Sequence, residues 1–148
     1  MEFELPELIE REVEVGMSGL LTYSNEGSEK EQLGYSVSIK GEPLFGFEEG
    51  DWQEGWYVIG RDTLLGDPVF IDLNDSDIPV FKAAHGMGTW NEVCVSDTYS
   101  GFLDSLSAIE RSKESGKINE PGSLLTEIKS LIGDGEFQFW QLMIDPPF

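Results

Sequence analysis

Residues 57–90 read YVIGRDTLLGDPVFIDLNDSDIPVFKAAHGMGTW, and this stretch decides the fold. Two short apolar runs, 56–59 and 69–73, flank a polar turn that holds Gly60, Arg61, Asp62, Gly66 and Asp67. A third run, 78–81, leads to His85, Gly86 and Trp90, and 93–95 makes a fourth. Glycine and aspartate set between short apolar runs are turn residues between strands. Connections this short join antiparallel neighbours, because parallel ones need a crossover of about a dozen residues. The stretch therefore predicts a meander. Within it Val69, Ile71 and Leu73 fall on one strand face, and Phe70 and Asp72 on the other.

Downstream the period becomes helical. Over residues 97–113, Tyr99, Phe102, Leu103, Leu106 and Ile109 form one stripe. Ser96 or Asp97 is placed to cap its start, Arg111 and Lys113 suit its C-terminal dipole, and Ser115-Gly116 stops it. Ser123 is placed to cap a second helix with Leu124, Leu125, Ile128, Leu131 and Ile132 inward and Gly133 at its end. The apolar run 136–144 reads as a docked last helix. Upstream, Leu5-Pro6-Glu7 predicts a short helix with Leu5, Leu8 and Ile9 on its inner face, while 12–15 alternates and can instead be extended. Residues 24–32, SNEGSEKEQ, carry no apolar side chain and predict a surface loop. Residues 35–39 alternate as a half-buried strand does, 44–47 form a short apolar turn, and 48–54 form an acidic loop. Helices grouped after an antiparallel meander imply an α+β fold. With 148 residues and 39% hydrophobic content, one domain spanning 1–148 is expected, its helical part at 97–148.

Charge is the strongest compositional signal. Asp plus Glu is 29 against 9 for Lys plus Arg, a formal net charge of −20. Residues 41–81 hold ten carboxylates and a single basic residue, Arg61. Such a surface repels nucleic acid and anionic lipid and draws in basic proteins. The plainer role of acidity is solubility. No apolar run is long enough to span a membrane. The start, MEFELPELIERE, is acidic where a signal peptide is basic, and Cys94 is the lone cysteine. A reducing, cytoplasmic location is the expectation.

The usual catalytic sets are absent: there is one histidine, one cysteine, and no C-x-x-C, H-x-x-x-H, G-x-S-x-G or P-loop pattern. His85 with Cys94 is the sharpest enzymatic idea, but Cys94 between Val93 and Val95 reads as a packed thiol, and His85 as a residue satisfying backbone groups in a turn. Residues 72–77 resemble a calcium loop without its sixth-position glycine, and the twelfth position is Ala83. No metal or cofactor is expected. Of the tryptophans, Trp56 and Trp90 read as core, whereas Trp52 inside EEGDWQE reads as an exposed interface anchor.

Leu44-Phe45-Gly46, Tyr57 to Gly60, Gly66 to Leu73, Pro79-Val80-Phe81, His85-Gly86, Trp90 and the helix at 99–106 together resemble the SUKH superfamily, the Smi/Knr-type group of bacterial immunity proteins and fungal cell-wall regulators. The resemblance covers about residues 35–110, and Phe139-Trp140 is similar to ends seen in the family. Family members usually begin with a long helix and an L-P-x-x-Y-type segment; here only Leu5-Pro6 matches, so residues 1–34 diverge. The resemblance implies a twisted antiparallel sheet with helices on it, no catalysis, and toxin neutralisation in many bacterial members. It also implies that Gly60, Gly66, Asp67, Asp72, His85 and Trp90 form a framework rather than a site.

These observations predict a non-catalytic acidic domain that binds a basic protein such as a nuclease toxin. The partner surface is expected at Glu48, Glu49, Asp51, Trp52, Glu54, Asp75 and Asp77. The alternatives are a regulatory scaffold of the cell-wall-regulator type, a small-molecule-binding domain, and an enzyme using His85.

Overall fold

Each turn of the 57–90 stretch closes an antiparallel pair. The computed structural model describes residues 4–147. Strands β1 (Arg11–Val15) and β2 (Ser18–Thr22) form a hairpin, followed by a single helical turn α1 (Asn25–Ser28) and a 3₁₀ turn, Glu29–Gln32. Then come β3 (Trp56–Asp62), β4 (Pro68–Asp72), β5 (Val80–Lys82) and β6 (Val93–Ser96), and helices α2 (Tyr99–Glu114), α3 (Gly122–Leu131) and α4 (Phe137–Ile144). The six strands lie in sequence order in one antiparallel sheet, which with the helices makes an α+β fold.

The period-two alternation of β4 sorts the core into two layers. Val69 and Ile71 face the helices and pack with Phe102, Leu106, Ile109, Ile128 and Trp140. Phe70 faces the other way, among Trp52, Trp56, Val58 and Ala83. An antiparallel sheet commonly leaves one face to water. Here both faces of β4 are sealed, with Val69, Phe70 and Ile71 all at 0% exposure. The helices cover one face, and the chain between the 3₁₀ turn and β3 supplies Trp52, Tyr35 and Phe45 to the other.

Several elements differ from the sequence reading, each for a local reason. Residues 35–39 are not a strand but a set of turns held by isolated bridges, Leu33 to Val37 and Val37 to Pro43. The edge of β3 they would need is already taken. There β2 pairs with residues 60–62, the Tyr23 N–H donates to the Ile59 carbonyl at 2.9 Å, and the Val58 backbone groups beyond are met by a side chain. Gln32 donates from Nε2 to the Val58 carbonyl at 2.8 Å and accepts the Val58 N–H on Oε1 at 2.8 Å, so one amide stands in for a missing strand neighbour. The 24–32 segment is therefore no surface loop: Ser28 and Gln32 are buried, and Ser28 Oγ lies 2.7 Å from the Tyr57 hydroxyl.

Residues 5–9 are not helical. Their backbone is claimed by lateral partners: the Leu8 N–H donates to Asn25 Oδ1, the Ile9 N–H to the Tyr99 hydroxyl, and Thr22 Oγ1 donates to the Ile9 carbonyl. Thr98, rather than Ser96 or Asp97, caps α2 by accepting the Gly101 N–H at 2.9 Å. Asp97 is engaged elsewhere, taking the Asp134 N–H on Oδ2. Pro121 rather than Ser123 is the N-cap residue of α3, its carbonyl accepting the Leu125 N–H at 2.9 Å. The expected inner stripe of α2 and the last helix are present, and on α3 Leu124, Leu125, Ile128 and Ile132 face the core while Leu131 does not join it.

Both sheet edges are protected. On β6, the Glu136 N–H donates to the Cys94 carbonyl at 2.7 Å and the Trp140 indole N–H donates to the Val95 carbonyl at 2.9 Å. On β1, Glu12 and Glu14 put charge along the edge and Lys113 donates to the Glu14 carbonyl. Gly60 sits where the register of β3 against β4 shifts, and a Cβ there would collide with the Leu21 carbonyl oxygen. That close approach, not a left-handed turn, is what requires the glycine.

Replacing Gln32 with Leu strands the Val58 N–H and carbonyl, and each orphaned buried group costs about 1–3 kcal/mol. The Gln32→Leu variant should therefore unfold at clearly lower urea than the parent. An unchanged midpoint contradicts the role assigned to that amide.

Candidate functional site

Three of the carboxylates expected at the partner surface meet at one opening. Glu48, Glu49 and Glu54 line an open groove of about 500 Å³ together with Asp72 and Glu92. Its floor is aromatic, made by Trp56 and Phe81, and Phe47 stands at its rim, 91% exposed. The Trp56 and Phe81 rings lie near parallel, 29° apart with centroids at 6.3 Å. A second groove of about 340 Å³ adjoins it, sharing Gln53, Glu54 and Trp56.

Three loops build this opening. Asn74 ties the β4–β5 turn to the acidic loop by donating from Nδ2 to the Glu54 carbonyl at 2.7 Å. The Trp90 N–H donates to the Gly50 carbonyl at 2.8 Å, which brings the β5–β6 loop and Glu92 alongside. Asp72 Oδ1 accepts the Asn74 N–H at 2.9 Å, which shapes the turn while leaving the carboxylate at the groove.

The other expected partner residues behave differently. Trp52 is not an exposed anchor: it is 2% exposed, and its indole donates to the Trp56 carbonyl at 3.2 Å. It lies within 5.5 Å, centroid to centroid, of Tyr35, Trp56, Phe70 and Trp90. Its acidic neighbours mislead, because the loop has to turn its one large apolar side chain down onto Phe70. Asp51 is half-buried and spends Oδ2 on the Glu48 N–H at 3.1 Å. Asp75 and Asp77 are exposed on the β4–β5 turn and do not line the groove. Trp56 is buried and Trp90 half-buried against the same aromatic layer, as the sequence suggests.

Among the framework residues, Gly66 has φ +77° in the β3–β4 turn. That turn is organised by Asp62, whose Oδ1 accepts the Leu64 and Leu65 N–H groups and whose Oδ2 accepts the Asp67 N–H. Asp67 reaches instead to the β5–β6 loop. Its Oδ1 takes the His85 backbone N–H at 3.1 Å and lies 2.6 Å from His85 Nδ1, with Lys82 Nζ at 4.0 Å from Oδ2. The His85 ring therefore pairs with a buried carboxylate rather than with backbone groups. The link fastens one end of the exposed 84–89 loop, and the Trp90–Gly50 hydrogen bond fastens the other.

Cys94 and His85 engage separate partners. The thiol lies 3.3 Å from the Ser96 carbonyl, and burial pushes its pKa up, a shift only partly offset by that hydrogen bond. An activated nucleophile needs the opposite shift. On the helix side, a third opening of about 640 Å³ runs between α4 and the sheet, reaching from β2 to β6, with Leu64, Leu65, Val93 and Leu142 exposed along it. Among the described residues no group of three His, Cys, Asp or Glu side chains is placed to hold a metal ion, and no helix is long and apolar enough to cross a membrane.

No family model, curated protein or solved structure matches this chain.

The raised thiol pKa sets the expected reactivity of Cys94. Folded protein at pH 8 holds less thiolate than a free cysteine does, so iodoacetamide should modify Cys94 more slowly than in urea. The folded-state rate should climb as pH rises beyond the ordinary thiol range. Equal folded and unfolded rates at pH 8 contradict this.

Proposed function

We propose that this chain is a non-catalytic acidic binding domain, and specifically an immunity protein that neutralises a basic toxin domain in the cytoplasm. The observation that carries the reading is the ring of Glu48, Glu49, Glu54, Asp72 and Glu92 around one aromatic-floored opening with no cation among its lining residues. The ion pairs of the described residues lie elsewhere, at Lys82, His85 and Arg111. Five carboxylates lining one opening, with no cation among its lining residues, make it attractive to a basic surface. The net charge of −20 extends the attraction over the whole molecule and speeds encounter with such a partner. A nuclease is a fitting target, because a surface built to hold phosphate is rich in Lys and Arg. The resemblance of residues 35–110 to the SUKH superfamily supports the same reading. The Asp67–His85 pair fits as a loop fastening, with no nucleophile among the described residues hydrogen-bonded to it.

The direct test is protection. Cells producing the chain should survive a basic toxin encoded beside its gene, and the purified pair should associate more weakly as salt rises from low to physiological and above. Replacing Glu48 and Glu49 with Lys should abolish both protection and binding. A neighbourhood without a toxin, a deletion that gives only conditional growth or envelope defects, and no rescue of toxin-exposed cells would overturn the reading in favour of a regulatory scaffold.

A further inference from the structure

The two edges of the sheet are finished differently. On β6 the Cys94 and Val95 carbonyls are taken by Glu136 and Trp140. On β1 the outer backbone is open. Its hairpin turns through Gly16 and Met17, with Val15 opposite Ser18, Val13 opposite Leu20 and Arg11 opposite Thr22. The closing pair of a two-residue hairpin is hydrogen-bonded, and such pairs alternate with non-bonded ones along an antiparallel ladder. Glu12 and Glu14 therefore turn their N–H and C=O groups away from β2. Lys113 Nζ, which donates to the Glu14 carbonyl from α2, fits that direction. Among the described residues no backbone hydrogen bond outside the ladder involves residues 10–17. The Glu12 N–H, the Glu12 carbonyl and the Glu14 N–H are thus left without a protein partner.

The side chains sort the two faces of this edge. Arg11, Val13 and Val15 lie on the helix side, where Arg11 bonds the Leu103 carbonyl and Ser107 and the two valines meet the main core. Glu10, Glu12 and Glu14 alternate with them, and all three are exposed. None of the three has an ion-pair partner among the described residues. Across the hairpin, Glu12 and Glu14 face the uncharged Leu21 and Gly19.

Open backbone groups at a sheet edge pair with another strand, and the side chains decide which one. A second copy would set its own Glu12 and Glu14 against these, with −20 on each molecule. A strand with Lys or Arg at alternate positions instead places a cation beside each carboxylate. The apolar side chains between those cations then fall on the side of Val13, Val15 and α2.

We propose that the β1 edge accepts a seventh strand from a basic partner: an extended segment with Lys or Arg at every second residue. Its backbone fills the outward groups of Glu12 and Glu14, one of its N–H groups replacing Lys113 at the Glu14 carbonyl, and its cations pair with Glu10, Glu12 and Glu14. The contact is separate from the acidic groove, to which β1 and β2 contribute no residue. It rests on the reading of the chain as a binder of basic protein and adds a second surface by which such a partner is held.

The probe is the capped peptide Lys-Val-Lys-Val-Lys-Val-Lys, added at low salt to ¹⁵N-labelled protein while amide hydrogen exchange is followed. Exchange at the Glu12 and Glu14 N–H groups should slow about tenfold or more. A fully N-methylated analogue keeps the charge but has no backbone donor, and it should give no protection. Neither should Glu-Val-Glu-Val-Glu-Val-Glu. Glu12→Lys combined with Glu14→Lys should abolish the effect, whereas Glu26→Lys combined with Glu29→Lys, the same charge change elsewhere, should leave it within about twofold. Should the first double variant lose structure, the methylated peptide carries the conclusion. The proposal is overturned by equal protection from the methylated peptide, by insensitivity to the Glu12 and Glu14 changes, or by protection that grows with protein concentration alone, which would make the occupant a second copy. If the basic peptide leaves these amides unprotected while the chain still binds a basic toxin in a salt-dependent way, the strand site fails and the wider function stands. If the amides are protected but no toxin is bound, the strand site stands and the immunity reading fails.

Discussion

Trp52 holds the second face of the sheet closed, and the candidate site depends on that closure. Helices α2, α3 and α4 cover one side of the meander, which leaves Phe70 and Val58 on the other to be kept from water. A loop does this with one large side chain: Trp52 lies 4.7 Å from Phe70, centroid to centroid, and its indole is bonded to the Trp56 carbonyl. Truncating a buried Trp to Ala typically costs about 3–5 kcal/mol, which makes this contact comparable to a major part of a small domain's stability. The same insertion fixes where the loop's carboxylates go. With Trp52 pointing down, Glu48, Glu49 and Glu54 are left at the mouth beside Asp72 and Glu92.

The acidic loop is thus held at both ends by the core rather than displayed on a flexible arm. Asn74 bonds it from the β4–β5 turn, Trp90 from the β5–β6 loop, and Asp51 folds back on the Glu48 N–H. Such fixing matters energetically. A backbone already ordered loses less entropy when a partner arrives.

The meander was legible because its residues alternate cleanly and its turns carry glycine and aspartate at short intervals. The helices were legible from the stripe of Tyr99, Phe102, Leu106 and Ile109 and from the Gly116 and Gly133 stops. What escaped the sequence was everything settled by a distant partner. Gln32 reads as loop because its role, satisfying Val58 across 26 residues, exists only once β3 is in place. Residues 35–39 alternate like a strand, but no free strand edge remains for them. Trp52 reads as exposed from its acidic neighbours, and the demand of Phe70 for cover outweighs them. Of the site itself, the acidic loop was visible as composition. The membership of Asp72, Phe81 and Glu92, and the exclusion of Asp75 and Asp77, followed from which turns the tertiary hydrogen bonds draw together.

Indole hydrogen exchange tests the central claim most directly, with the four Trp resonances assigned through single Trp→Phe variants. The N–H groups of Trp52 and Trp140, each buried and bonded to a carbonyl, should exchange orders of magnitude more slowly than that of Trp56, which makes no hydrogen bond among the described residues. A Trp52 indole that exchanges as fast as that of Trp56 would mean that Trp52 does not close the sheet, and would remove the physical basis for the groove beside it.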